Sequence, residues 1–290
     1  MSMLHFIFNP RAGRGAAARA RAVIEPMLRD IPHAFHETFQ EKHAVALTRA
    51  LRPDGNTLDV VAMGGDGSLH EVLNGLADPA RTRLGLIPCG SGNDFASAAD
   101  IPSDPAAALR LILEGRAKYT DYMECSGVRG INAIGTGIDV DILRRYARMK
   151  VLRGSLAYLF SLITTVMTYV PRRFRDVTGT APVSHEAFIA CAGNGRSFGG
   201  GIPICPEAVV DDGLLDVVIV DGIRKSAIPA AFLKLMRGRV ADLPTAQTDR
   251  RPALKIASDS PMPVQIDGEI YEDLPFDVRV VHDVLRVYRP

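Results

Sequence analysis

The constraint that most limits how this chain can fold is the run Leu58 to Met63, short, mostly apolar and rich in β-branched residues, followed by Gly64-Gly65-Asp66-Gly67-Ser68-Leu69-His70-Glu71. It predicts a strand, a tight glycine turn and a helix. Ser68 and Glu71 have capping-box spacing, which makes Ser68 the expected N-cap. Glycines before a helix N-terminus let backbone N–H groups approach a phosphate. A carboxylate at Asp66 would repel that phosphate unless a divalent cation lay between them, so the loop reads as a metal–nucleotide site.

The chain has 290 residues, 47% of them hydrophobic, enough for two ordinary domains. A formal net charge of +1 provides no general attraction to nucleic acid, so none is expected as a partner. Cys89, Cys125, Cys191 and Cys205 form no C-x-x-C pair, and the first strand-like run begins at Leu4 without a charged leader. These features suggest a reduced, cytoplasmic chain. Leu152, Leu156, Leu159, Ile163, Val166 and Val170 recur at helical spacing, predicting one apolar helix face. Arg153 and the hydroxyl residues interrupt this segment, which falls short of the ~18 apolar residues of a spanning helix.

The first third repeats a strand, a polar turn and a helical stretch. Leu4 to Phe8 leads into Asn9-Pro10-Arg11-Ala12-Gly13 and then a helix over Ala16 to Leu28, while Leu84 to Ile87 leads into Pro88-Cys89-Gly90-Ser91-Gly92-Asn93-Asp94. This pattern predicts an α/β domain of Rossmann-like layers with its loops at strand C-terminal ends. Beyond about Asp121 the runs Ala187 to Cys191, Leu215 to Val220, Val264 to Ile266, Val278 to Val281 and Val284 to Tyr288, separated by Gly, Pro and Asp turns, predict a mainly antiparallel β domain.

The motifs occur in an order that resembles the diacylglycerol kinase catalytic family, especially the stand-alone bacterial YegS-like lipid kinases. They are Phe8-Asn9-Pro10 with Gly13; the Gly64 to Ser68 loop with Glu71; Gly90-Ser91-Gly92-Asn93-Asp94-Phe95-Ala96; Asn132 with Gly135-x-Gly137-x-Asp139; Gly199-Gly200-Gly201 with Pro206 and Asp212-Gly213-x-Leu215-Asp216; and Asp267-Gly268-Glu269. The resemblance implies an α/β ATP-binding domain over residues 1–121, completed by the last strand at about 278–290, and a β-sandwich lipid-substrate domain over 122–277. The two lobes would enclose the active cleft.

By position, the resemblance places Asn9, Thr38, Gly64, Gly65, Asp66, Gly67, Ser68, Leu69, His70, Ser91 and Asn93 on nucleotide-binding segments. It places Asp66, Asp94 and Asp121 in a catalytic Mg2+ network acting through water, and makes Glu269 the general base. Val209, Asp212 and Leu214 match a structural Mg2+ site. Each has a plainer alternative: Asp94 as a helix-start residue, Asp121 as a domain-boundary residue, and Asp212-Gly213 and Asp267-Gly268 as tight turns. Ser68 and His70 depart from the family's usual threonine and asparagine.

The implied activity is transfer of the γ-phosphoryl group of ATP, with Mg2+, to the hydroxyl of diacylglycerol or a related lipid. Gly-Gly-Asp-Gly also occurs in phosphofructokinases and NAD kinases, which leaves a small-molecule kinase as an alternative. A nucleotide-binding regulatory module without turnover is another. Expected partners are a lipid substrate and the inner face of a membrane, touched transiently; the cluster Arg144, Arg145, Arg148, Lys150 and Arg153 is either the contact or a solvated face, and a homodimer is possible.

Overall fold

The computed structural model describes residues 3–53, 55–148, 161, 164–166 and 168–290. Lys150 and Arg153 of the basic cluster, and Leu152, Leu156, Leu159 and Ile163 of the expected apolar helix face, lie outside the described residues. No helix among the described residues is long and apolar enough to cross a membrane.

Two units emerge. The first contains Met1–Tyr122, Val210–Asp212 and Val281–Pro290. Four parallel strands lie in the order β2 (His33–Glu37), β1 (Leu4–Phe8), β3 (Leu58–Gly64) and β4 (Thr82–Pro88). Strand β3 is buried along its whole length, as expected for a strand covered on both faces. The final strand of the chain, Asp277–Tyr288, joins β4 in parallel through Arg286↔Arg83 and Val287↔Leu84. Between β1 and β3 the winding reverses direction. Such a switch point is where open α/β sheets bind ligands, at the carboxyl ends of their strands.

Helices follow the strands: α1 (Ala12–Ile24), α2 (His43–Ala50), α3 (Asp66–Gly75), α4 (Asp94–Ala98) and α5 (Pro105–Leu113). Helix α3 starts at Asp66 with Gly65 as N-cap and no side-chain capping bond, so Ser68 lies inside the first turn and is not the cap. The glycine's extended backbone already lets its carbonyl accept the Leu69 N–H at 3.1 Å. Glu71 instead accepts the Lys42 and Ala44 N–H groups, both at 3.0 Å, and caps α2, whose own N-cap, Lys42, offers no side-chain acceptor.

The second unit contains Met123–Val209 and Gly213–Val280. Its strands pair antiparallel around the long strand Val183–Gly193, which meets Arg172–Asp176 over its first half. Over its second half it meets Ala133–Gly137 and Leu215–Asp221. Both faces of this sheet are buried over the second half of the long strand. Ala190, Ala192, Leu215, Val217 and Ile219 feed one apolar cluster, while Ile189, Cys191, Val218 and Val220 feed another. The second cluster is covered in part by α6 (Ile138–Arg148) and α7 (Ile228–Met236), through Ile138, Ile142 and Ile228. The runs expected as two strands, Val278 to Val281 and Val284 to Tyr288, are one strand, because Asp283 absorbs the break with a φ of 56°.

Candidate functional site

In the first unit, three loops leave the carboxyl ends of β1, β3 and β4 and meet through their backbones. A Cβ on Gly13, where φ is +57°, would stand 1.9 Å from the Cys89 carbonyl oxygen, and one on Gly90 would stand 2.5 Å from the Gly65 Cα. Only glycine permits that approach. Gly64 is held by its own carbonyl, which accepts the Cys89 N–H at 2.8 Å, and a Cβ there would strike the Ser68 Oγ at 2.3 Å.

Asp66 belongs to this cluster in a way its sequence did not disclose. Its Oδ2 accepts the Asn93 N–H at 2.8 Å and its Oδ1 the Phe95 N–H at 3.4 Å, so the carboxylate sits on the N-terminus of α4. That helix has Asn93 at its N-cap, in the left-handed region and without a side-chain capping bond. Asn93 is turned inward to its own loop, where its Oδ1 accepts the Gly90 N–H at 2.9 Å and its Nδ2 donates to the Gly90 carbonyl at 3.0 Å. An acid at a helix N-terminus is favourable electrostatically. The anion that looks wrong in a phosphate loop therefore has a structural role of its own.

The other residues of this region fall into two groups. Gly67 and Ser91 are exposed, Asn9, Gly65 and Ser68 are half-buried, and Asn9 accepts the Arg11 N–H on its Oδ1 at 2.9 Å. Thr38 donates its N–H to the Phe8 carbonyl at 2.8 Å, beside the end of β1. Leu69 and His70 are buried on the inner side of α3, and the His70 carbonyl accepts a bond from Asn74 Nδ2 at 2.9 Å.

Asp94 and Asp121 are both buried. Asp121 Oδ1 stands 2.7 Å from His282 Nδ1 and raises the pKa of that imidazole, a partner on the last strand that no motif announces. Asp121 also donates its N–H to the Val210 carbonyl at 2.7 Å. Near the expected structural-metal segment, Asp211 pairs with Arg289, whose Nε donates to Thr120 Oγ1 at 2.9 Å. Among the described residues no three His, Cys, Asp or Glu side chains converge as a ready metal cage.

In the second unit, Asp267 and Gly268 have φ of 50° and 93°, the signature of a two-residue hairpin turn between Val264–Ile266 and Glu269–Tyr271. The Asp267 carboxylate accepts the N–H groups of Ile131, Asn132 and Ala133 at 2.8 to 3.1 Å, anchoring the turn. Glu269 follows as an exposed first strand residue.

The same unit holds a cavity of about 100 Å3 walled by aliphatic and aromatic side chains, among them Ile142, Phe188, Phe198 and Leu243, with Asp139 as its one acid. Of the Gly135-x-Gly137-x-Asp139 motif, Asp139 lines this cavity and the glycines allow close packing beside it. A Cβ on Gly135 would lie 2.2 Å from Asp139 Oδ2, and one on Gly137 2.4 Å from the Phe188 carbonyl oxygen. Asp139 Oδ1 accepts its neighbour Val140's N–H at 2.9 Å, while Oδ2 has no hydrogen-bond partner among the described residues. Burial pushes this carboxyl up to about 7; the Val140 N–H and the Gln265 amide pull the other way, the latter without reaching hydrogen-bond geometry to Oδ2.

Of the basic residues expected at a membrane, Arg144 is engaged by Asp141 and Glu272, and Arg145 donates to Thr168 Oγ1 at 3.4 Å. The four cysteines are free and buried.

A solved structure of a diacylglycerol kinase from Bacillus anthracis str. Sterne has the same fold, with a TM-score of 0.74 at 22% identity over 99% of this chain and 96% of that one. Residues 3–125 match the diacylglycerol kinase catalytic domain, and residues 132–289 match the YegS C-terminal NAD kinase beta sandwich-like domain. A protein of Xanthomonas campestris pv. campestris (strain 8004) named "Probable lipid kinase YegS-like" is 38% identical over 80% of this chain and 78% of its own length. The diacylglycerol kinase of Mycobacterium tuberculosis (strain ATCC 25618 / H37Rv) is 28% identical over 97% and 93%. The chain belongs to the diacylglycerol kinase catalytic-domain family and is a kinase.

Proposed function

We propose that this kinase transfers the γ-phosphoryl group of ATP to a hydroxyl of a lipid, diacylglycerol or a close relative. The apolar cavity of the second unit carries the reading on the acceptor side, since a sugar phosphate or a dinucleotide has no use for walls of Ile, Leu and Phe. On the donor side, the glycine loops at the switch point offer backbone N–H groups to phosphate.

Mg2+ suits the carboxylates of the first unit. It is held by one or two carboxylates, substrate phosphates and retained water rather than by an all-protein cage, so Asp66, with Asp94 and Asp121, would hold it. The ion would neutralise charge on the phosphates. Positioning supplies most of the acceleration in phosphoryl transfer. The three pinned loops support that role by fixing their own backbone. Glu269 accepts the acceptor hydroxyl's proton as the oxygen attacks phosphorus.

Incubation of the purified protein with labelled ATP and a panel of micellar lipids tests the acceptor. Labelled phospholipid is the expected product, and transfer only to fructose 6-phosphate or NAD would overturn the reading. Glu269→Ala should abolish transfer while leaving nucleotide binding intact; near-normal turnover would remove Glu269 from the mechanism.

A further inference from the structure

Helix α7 is apolar on two opposite sides. Ile228, Ala231, Phe232 and Leu235 turn inward and line the cavity. Pro229, Ala230, Leu233 and Met236 turn outward, with Leu233 50% and Met236 45% exposed. A helix on a water-facing surface ordinarily carries polar residues on its outer side. Two large apolar side chains one turn apart on a short helix are a patch that water does not favour.

The charge around the helix says what would cover it. Between Ile223 and Leu243 the sequence has five basic residues and one acidic residue, a greater positive excess than the whole chain's +1. Arg224, Arg237 and Arg239 are exposed at the ends of the helix. Arg239 is paired with Asp242, whose main-chain carbonyl also accepts a bond from Lys234 Nζ at 2.9 Å. An apolar strip bordered by arginines is the composition of a segment that lies in a membrane interface, with its side chains among the acyl chains and its cations at phosphate level.

We infer that the outer face of α7 is a docking surface for an anionic phospholipid bilayer, entered by Leu233 and Met236 and held by Arg224 and Arg237. The inner face of the same helix walls the cavity, so a docked α7 separates the bilayer from the cavity by the thickness of one helix. The purpose of this docking rests on the lipid-acceptor reading, but the docking itself is measured without ATP or turnover.

The chain contains no tryptophan, so Leu233→Trp introduces a single indole reporter. Its emission should shift to the blue with phosphatidylcholine vesicles containing phosphatidylglycerol, and far less with phosphatidylcholine alone. In co-sedimentation with the mixed vesicles, the double variant Leu233→Ser/Met236→Ser should bind about tenfold more weakly or worse. Arg237→Glu should weaken binding by about fivefold or more, an effect that fades as salt rises. These residues stand on the surface away from the cavity, so the variants should keep wild-type turnover of diacylglycerol in detergent micelles while losing turnover on vesicles.

Equal vesicle binding by wild type and the double variant overturns the inference. So does an indole that is already blue-shifted without vesicles and follows a concentration-dependent dimer, which would make the face a contact between copies. If no lipid is phosphorylated in any format, the acceptor reading fails, and the binding measurements still decide whether α7 docks.

Discussion

Replacing Asp139 with Asn should abolish a pH dependence of stability that the apolar cavity imposes. In the unfolded chain this carboxyl titrates near its ordinary value of 3.8, and in the folded protein burial raises it to about 7. Between those two values the folded state binds the proton and the unfolded state does not. The contribution to stability is therefore fully present below the unfolded value and is lost as pH rises through the folded one. A shift of roughly three units at 1.36 kcal/mol each amounts to ~4 kcal/mol over the full range. Between about pH 5 and pH 8 the loss is roughly 2–3 kcal/mol, most of it below about pH 7. With a urea dependence of about 1–3 kcal/mol per molar, the midpoint should fall by roughly 1 M. The assay is urea unfolding of wild type and Asp139→Asn side by side at several pH values, in which the other carboxylates cancel. The wild-type curve should decline relative to the variant, and the variant should be the more stable protein at the alkaline end. Parallel curves, or a variant that gains on wild type toward acid, would refute the placement of this carboxyl as a desolvated, largely unpaired group.

Two further tests address the loops. Glu71→Ala removes both acceptors from the N-terminus of α2 and should cost about 1–2 kcal/mol, seen as a lower melting temperature together with faster amide exchange over His43–Ala50; unchanged exchange there would mean that the cap contributes nothing. Gly13→Ala must displace the Cys89 carbonyl, whereas Gly55→Ala, also at positive φ but with nothing within 4 Å, bears only the backbone strain of about 1–2 kcal/mol. The first should lower melting temperature and affinity for an ATP analogue far more than the second, and equal effects would argue against the backbone contact.

The parallel strands and their loops could be read in advance, because glycine, asparagine and proline after a β-branched run have one common physical use. Strand β2 could not, since His33-Ala-Phe-His-Glu37 has neither a clean alternation nor a glycine turn after it; its place is set by pairing with β1. Capping also escaped the sequence. Ser68 and Glu71 have the spacing of a local box, yet Glu71 reaches residues 27 and 29 positions earlier in the chain, and Asp66 reaches Asn93. Spacing rules describe neighbours along a helix and are silent about partners brought by the fold. The same limit hid His282 beside Asp121. Asp139 was visible as part of a motif, but its desolvation depends on the side chains that close around it. Glu269 came forward by resemblance, and the hairpin beneath it came from Asp-Gly alone.

The three loops at the switch point touch main chain to main chain, where a single added methyl group would collide. At those contacts what the loops can offer a ligand is the peptide group itself, which is the same whatever the neighbouring sequence, with the side chains of Asn9, Asp66, Ser68 and Ser91 set around it. The peptide part of such a surface suits phosphate and cannot be retuned by exchanging side chains. A change of preference in this chain is left to the positions that do have side chains to exchange, such as those lining the apolar cavity.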